Sequence, residues 1–216
     1  MKNEEMHENN SKSKNKFKLI ETKKKERLIN CAFEEFGTNT FEKASTNNIV
    51  KNANVSRGLL YHYFENKQDL YDSLKTFAYE EMLEALQTKL NWEDSDVLLR
   101  IKQIVLIKME VAKRYPAMLQ FLTKMSEDMS FEEVKQWTED FAPGFYEQIY
   151  TKNIDFSLFK DDVDVGRAIK VIMWTIEKYS EEYQNKLKTE NLEMELDTFI
   201  NEFNEYIKLF RTTFYK

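Results

Sequence analysis

Within twelve positions, the segment SRGLLYHYFENK (residues 56–67) gathers an arginine, a histidine, two tyrosines, a phenylalanine and a lysine. His62 in that setting is chemically open: an imidazole can act as a general base, ligate a metal, fill a core or meet a flat or charged partner. Its companions narrow the choice. The other histidine, His7, lies in a polar tail, so His62 has no second His or Cys with which to share a metal. A Ser–His–acid arrangement stays open on sequence alone, although no Gly-rich nucleophile elbow or phosphate loop is present to frame one. Cys31 reads most simply as a small buried residue. No catalytic residue, metal ligand or cofactor is expected.

Tyr61, His62 and Tyr63 are consecutive, about 100° apart on a helix, so they cannot all face inward. Leu60 and Phe64, at i and i+4, claim the core side. At least two of the three aromatics must point outward, and polar-tipped rings beside basic residues suit phosphates and base edges. For Tyr63, packing against the first helix is the alternative. Ser56, Arg57 and Gly58 open this helix, where the positive end of the helix dipole favours phosphate. Arg57 could bond a guanine through two N–H groups, worth about 1–3 kcal/mol of discrimination, or bind phosphate alone. Gly58 permits close backbone approach.

The elements that must hold these residues are helices. The chain has 216 residues with only four Gly and two Pro, too little punctuation for the turns of an all-β fold. Glu, Lys, Leu and Met dominate its long segments, and the expected class is all-α. Residues 1–18 read as a flexible, Lys-rich tail, either an arm along nucleic acid or a solvated end. A first helix is expected from about Thr22 to Phe36, ended by GTNT, where Gly37 and Asn39 tolerate positive φ. Two short helices follow, capped by Ser45 and Ser56. Between them Asn54 supplies the left-handed residue that so tight a turn needs, which makes a helix-turn-helix. Longer helices are expected at about 67–90, 95–114, within 117–152, at 162–187 and at 192–214. The helix at 95–114 is apolar on nearly every side and should run through the middle of its domain.

Charge divides the chain. Residues 1–67 carry 13 Lys/Arg against 9 Asp/Glu, and residues 68–216 carry 19 against 29, so a basic end precedes an acidic remainder. A basic end can meet phosphate while the acidic part stays off it. No apolar run approaches the roughly 18 residues of a membrane span, and the N-terminus lacks a secretory h-region. A cytoplasmic protein without a membrane partner is expected.

Residues 27–71 resemble the DNA-binding domain of TetR-family transcriptional regulators. The resemblance rests on Ile49-Val50, Ala53-Asn54-Val55-Ser56, Gly58, Tyr61, Tyr63-Phe64, Lys67 and Leu70 at the family's spacing. Asn54 stands where the family has Gly, and Thr40 stands where a Gly usually precedes the aromatic Phe41. The resemblance implies a helix-turn-helix domain over 19–66 and a helical ligand-binding and dimerisation domain over 67–216. It implies phosphate contacts at Tyr61 and Lys67, a groove contact at His62, and backbone and groove contacts at Ser45 and Asn47. The function it implies is a homodimeric repressor of a palindromic double-stranded DNA operator, released by a small apolar or aromatic ligand.

The family's ligand pocket would lie among the later helices. Met109, Met118, Phe121, Met125, Trp137, Phe141 and Trp174 are its candidates, with ordinary core packing the alternative for each. Glu177 interrupts an apolar stretch and could meet a polar ligand group. The last two helices carry near-heptad apolar stripes, Ile169 to Tyr183 and Leu196 to Phe214, and the resemblance assigns them to the dimer interface. Two other readings are an all-α small-molecule-binding or adaptor protein without DNA binding, and an all-α hydrolase built on His62.

Overall fold

Leu28, Ala32 and Phe36 recur every fourth position, with Ile29 and Phe33 beside them, and all five are buried on one side of the first helix. The computed structural model describes residues 22–127, 136, 139–190 and 196–216. Its helices are α1 (Thr22–Thr38), α2 (Thr46–Ala53), α3 (Arg57–Tyr63), α4 (Lys67–Lys89), α5 (Val97–Arg114), α6 (Met118–Glu127), α7 (Phe145–Thr151), α8 (Val165–Glu190) and α9 (Leu196–Phe214). A 3-10 turn at Phe156–Leu158 was not legible in the sequence. Among the described residues there is no strand, only an isolated antiparallel bridge between Phe159 and Tyr215. The class is all-α, and no described helix is long and apolar enough to cross a membrane.

The described residues form two packing units, those within 22–91 and 103–149, and those within 92–102 and 150–216. In the first, α6 lies along α1. The Phe33 ring meets Phe121 at 5.2 Å, Tyr115 at 6.1 Å and Phe77 at 6.2 Å. Polar contacts flank this seam: Arg114 pairs with Glu26 at 2.8 Å, and Asn30 Nδ2 donates to the Arg114 carbonyl at 3.2 Å. Gln120 Nε2 donates to the Gly37 carbonyl at 3.0 Å.

Gly37 corrects an expectation. Neither it nor Asn39 has a positive φ, and α1 runs through it to Thr38. Its lack of a side chain serves close approach instead, since a Cβ there would sit 3.1 Å from the Phe121 nitrogen and 3.3 Å from its Cα. The expected centrality of α5 also needs qualification. Leu99 is 40% exposed, and Val105, Leu106 and Val111 are only half-buried. The chain breaks at Ala142–Gly144 before α7, with Gly144 at φ 65°.

In the second unit, α8 and α9 pack through aromatic rings, with Tyr179 stacked on Phe199 at 5.1 Å and Tyr183 edge-on to it at 4.9 Å. Arg100 is fully buried there. Its guanidinium donates to the carbonyls of Trp92 (3.1 Å), Lys152 (3.2 Å) and Asp94, and lies 5.5 Å from the Trp92 ring. Carbonyl oxygens thus take N–H groups of this buried cation; burial opposes its charge, and the Asp94 charge adds to its stabilisation. Asp96 opens α5, accepting from the Leu98 N–H at 2.9 Å, the Tyr215 hydroxyl at 2.8 Å and the Arg211 guanidinium. Burial pushes this carboxyl up, but those donors and the Arg211 charge outweigh it and hold it below the usual range.

Two outcomes follow from this packing. Gly37→Ala should destabilise the first unit by about 1–3 kcal/mol, because backbone atoms cannot yield as a side chain can. Helix propensity alone would favour Ala by up to about 1 kcal/mol, so the sign of the change in urea midpoint decides. A carboxyl held low stabilises the fold above about pH 4, its unfolded range, and that contribution is lost as pH falls through its lowered value. Asp96→Asn should therefore lower the thermal midpoint at neutral pH and flatten its decline in acid, compared with the wild type by calorimetry.

Candidate nucleic-acid interface

The two short helices form as local chemistry dictates. Ser45 is extended (φ −115°, ψ 115°) and its hydroxyl accepts from the Asn48 N–H at 3.4 Å, which starts α2. Asn54 ends α2 in the left-handed region at φ 53°, ψ 50°, and the Val55 N–H closes on the Val50 carbonyl at 3.0 Å. Ser56 starts α3 by accepting from the Leu59 N–H at 3.0 Å. Leu60 and Phe64 then point into the core at 1% exposure each, as their spacing required. The chain turns into α4 through Asn66, which accepts from the Asp69 N–H, while Asp69 accepts from the Glu65 N–H at 2.8 Å.

The outward side of α3 carries Arg57, Tyr61 and His62, all exposed, while Tyr63 is half-buried. The Arg57 guanidinium rests over the Tyr61 ring, 5.4 Å from its centre. The His62 ring meets Tyr63 edge-on at 4.9 Å. Gly58 is exposed, and a Cβ there would meet nothing nearer than the Ser56 hydroxyl at 3.9 Å. The protein's own packing therefore makes no demand for glycine at 58.

The Tyr61 hydroxyl lies 3.2 Å from that of Thr46, the first residue of α2, and this bond joins the start of α2 to the exposed face of α3. Ser45 and the exposed Asn47 flank Thr46, so the expected residues of both helices meet on one surface. The Thr46 bond is the chief reason the Tyr61 phenol titrates below its ordinary value. Slight burial opposes it, and a hydrogen bond from Arg57 with the charges of Arg57 and Lys67 adds to it. Sequence reasoning missed Thr46, whose one signal is its place directly after a cap.

Lys67 has a different setting from its neighbours. Its ammonium donates to the carbonyls of Phe41 at 2.8 Å, Glu42 at 3.2 Å and Ala44 at 3.2 Å, and sits 4.6 Å from the Phe41 ring centre. Glu35 was also missed. Its carboxylate accepts from the Ser45 N–H at 2.8 Å and from the side chains of Asn39 at 3.3 Å and Asn48 at 3.4 Å.

The expected ligand residues separate. Met109, Met118, Phe121 and Met125 are buried in the first unit, and Phe141 there is half-buried, 5.7 Å from the Tyr79 ring. Phe121 packs between Phe33 and Tyr71, the latter at 5.5 Å, and so joins α6 to α1 and α4. Trp174 is 65% exposed and Glu177 is exposed, both in the second unit, so neither lines an interior of the single chain. Trp137 lies outside the described residues, as does the tail at 1–18. Among the described residues no group of three or more His, Cys, Asp or Glu could hold a metal.

Residues 28–74 match the family model described as bacterial regulatory proteins, tetR family. The fatty acid metabolism regulator protein of Bacillus subtilis (strain 168) is 23% identical over 159 residues, covering 70% of this chain and 78% of that protein. A crystal structure from Streptomyces coelicolor, described as that of a transcriptional regulator, aligns at TM-score 0.49 and 16% identity, covering 87% of this chain and 96% of that one.

If the Thr46 bond sets the state of the phenol, Thr46→Val should move the Tyr61 titration up toward the ordinary tyrosine range. Carbon-13 NMR of ring-labelled tyrosine against pH checks this. An unmoved Tyr61 midpoint would mean that the two hydroxyls are not bonded in solution.

Proposed function

The chain belongs to the TetR family of bacterial regulatory proteins and is a DNA-binding transcriptional regulator; from that premise we propose that it is a homodimeric repressor released from a palindromic operator by a small apolar ligand. The observation that carries the reading is the exposed row Ser56, Arg57, Gly58, Tyr61 and His62 on a helix whose opposite side is anchored in the core. Residues 19–66 serve as the DNA-binding domain and 67–216 as the ligand-binding and dimerisation domain.

Arg57 reads a base edge, with Tyr61 beneath its guanidinium limiting the rotamers it must give up on binding. The Tyr61 hydroxyl, Ser45, Asn47 and Ser56 meet phosphate or sugar. His62 and Tyr63 border the groove. Gly58 lets the α3 backbone approach the duplex, a role left open by the space around it. Two such helices, one per subunit, would lie about 34–36 Å apart or a multiple of that spacing.

The ligand site is assigned to the first unit around Met109, Met125 and Phe141, polarisable and aromatic groups that adapt to apolar guests. The Bacillus subtilis relative is named for fatty acid metabolism, which makes fatty acids the first ligands to test here. A ligand that displaced α6 would act on α1 through Phe121, Gly37 and Gln120, and on α4 through Tyr71. Coupling of this kind is usually about 1–3 kcal/mol and reciprocal, so DNA would weaken ligand binding by the same factor. The exposed Val171 and Trp174 of α8 and Leu209 of α9 suit the dimer face.

Retardation of the DNA upstream of the protein's own gene, followed across a salt series, tests the reading. Log affinity should fall linearly with log salt, because bound phosphates release counterions. Tyr61→Phe should weaken binding to every sequence, whereas Arg57→Ala should cost about 1–3 kcal/mol on the operator and also relax base preference. No retardation at low salt would refute DNA binding.

A further inference from the structure

We propose that Lys67 is a positioning residue of the DNA interface rather than a phosphate contact, and that it works with Glu35 to hold the segment that launches α2. The inference rests on the DNA-binding reading above. An ammonium has three N–H bonds, and at Lys67 three carbonyl oxygens take them, those of Phe41, Glu42 and Ala44 at 2.8, 3.2 and 3.2 Å. The Phe41 ring closes another side at 4.6 Å. A phosphate oxygen would have to displace one of these partners.

The three carbonyls belong to one turn. The Lys43 and Ala44 N–H groups both donate to the Thr40 carbonyl, at 3.1 and 2.9 Å, and this leaves the carbonyls of 41, 42 and 44 for the ammonium. The next residue is Ser45, the cap of α2. Its own N–H goes to the Glu35 carboxylate at 2.8 Å, and the same carboxylate takes the side-chain amides of Asn39 and Asn48. A cation therefore gathers the acceptors of residues 41–44 while an anion gathers the donors of 39, 45 and 48. Lys67 is the first residue of α4, and α3 ends just before it. The ammonium thus ties the entry of α2 to the exit of α3. Thr46, next after the held Ser45, then meets Tyr61 on α3 at 3.2 Å. Displacement of the 41–45 turn would move the start of α2 away from Tyr61.

Glu35 makes the proposal directional. Removing an anion near a DNA-binding surface ordinarily strengthens binding, because repulsion from phosphate is relieved. Where that anion sets the geometry of the surface, its removal weakens binding instead.

Three measurements decide. In lysine acetylation followed by mass spectrometry, Lys67 of the free wild-type protein should react several-fold more slowly than the exposed Lys43 and Lys51, and DNA should add no protection at Lys67. Labelling as fast as Lys51, with protection on adding DNA, would overturn the proposal. In the salt series, Lys67→Met should weaken DNA binding on the order of tenfold with an unchanged slope, whereas loss of a phosphate contact would reduce the slope by about 0.9. Lys67→Arg should recover part of the affinity. Glu35→Ala, which leaves a good helix former in α1, should weaken binding several-fold, and tighter binding by this variant would also overturn the proposal. Should Lys67→Met fail to fold, the labelling and Glu35→Ala still decide. Absence of any DNA binding by the wild type would instead refute the DNA-binding reading, and labelling of the free protein would still test the seat of Lys67.

Discussion

A seven-residue helix does not hold itself together in water, where isolated helices below about 12–15 residues are marginal. The position of α3, and with it everything the exposed row can do, is therefore imposed from outside. Leu60 and Phe64 bury its inner side, the Ser56 hydroxyl satisfies an N–H at its start, and Asn54 in the left-handed region sets the direction from which it is entered. At its far end Asn66 and Asp69 fix the corner into α4. Given these constraints, Arg57, Tyr61 and His62 have only the outward side left. Polar-tipped rings beside a cation offer the charge and hydrogen-bonding capacity that a phosphate backbone matches.

What the sequence discloses about this arrangement is what local chemistry controls. The caps at Ser45 and Ser56, the left-handed Asn54 and the inward pair Leu60 and Phe64 depend on residues within a turn or two, so spacing suffices to find them. Gly37 shows the other case. A glycine after a helical stripe looks like a terminator, yet its cause is the backbone of Phe121, 84 positions later. Lys67 likewise reads as an available cation until its ammonium is seen among carbonyls 23 to 26 residues upstream. Arg100, in the middle of an apolar helix, has no local signature of its carbonyl cage. Met and Phe content was the weakest guide, because ligand lining and core share one composition: Phe121 proved to be the link between α6, α1 and α4.

That link bears on how a regulator of this build can respond. A close-packed seam with a glycine at its tightest point has little room for gradual deformation, since the Gly37 position already lies at the limit of contact with the Phe121 backbone. Movement of α6 is then passed to α1 rather than absorbed between them. The flanking polar contacts, Glu26 with Arg114 and Gln120 with the Gly37 carbonyl, constrain sliding along the same seam. Buried apolar contact supplies the stiffness, and the hydrogen bonds supply the register.

Electrostatics sharpens the same division. Exposed cations over residues 23–66 are Lys23, Lys24, Arg27, Lys43, Lys51 and Arg57, against the exposed anions Glu34, Glu42 and Glu65. The two half-buried anions of this segment are already engaged, Glu26 by the Arg114 guanidinium of α5 and Glu35 by three N–H donors. The field that this segment presents to an approaching duplex is therefore more positive than its formal charge suggests. Residues 68–216, with ten more acidic than basic groups, oppose contact with phosphate. Fields of this kind raise encounter rates and orient the approach but contribute little to sequence choice. Discrimination then falls to the few side chains that reach base edges, and for these fixed geometry matters more than added charge. A chain acidic overall can bind DNA on those terms, provided that its interface commits some of its charges, as proposed for Glu35 and Lys67, to holding the turn that launches α2 against α3.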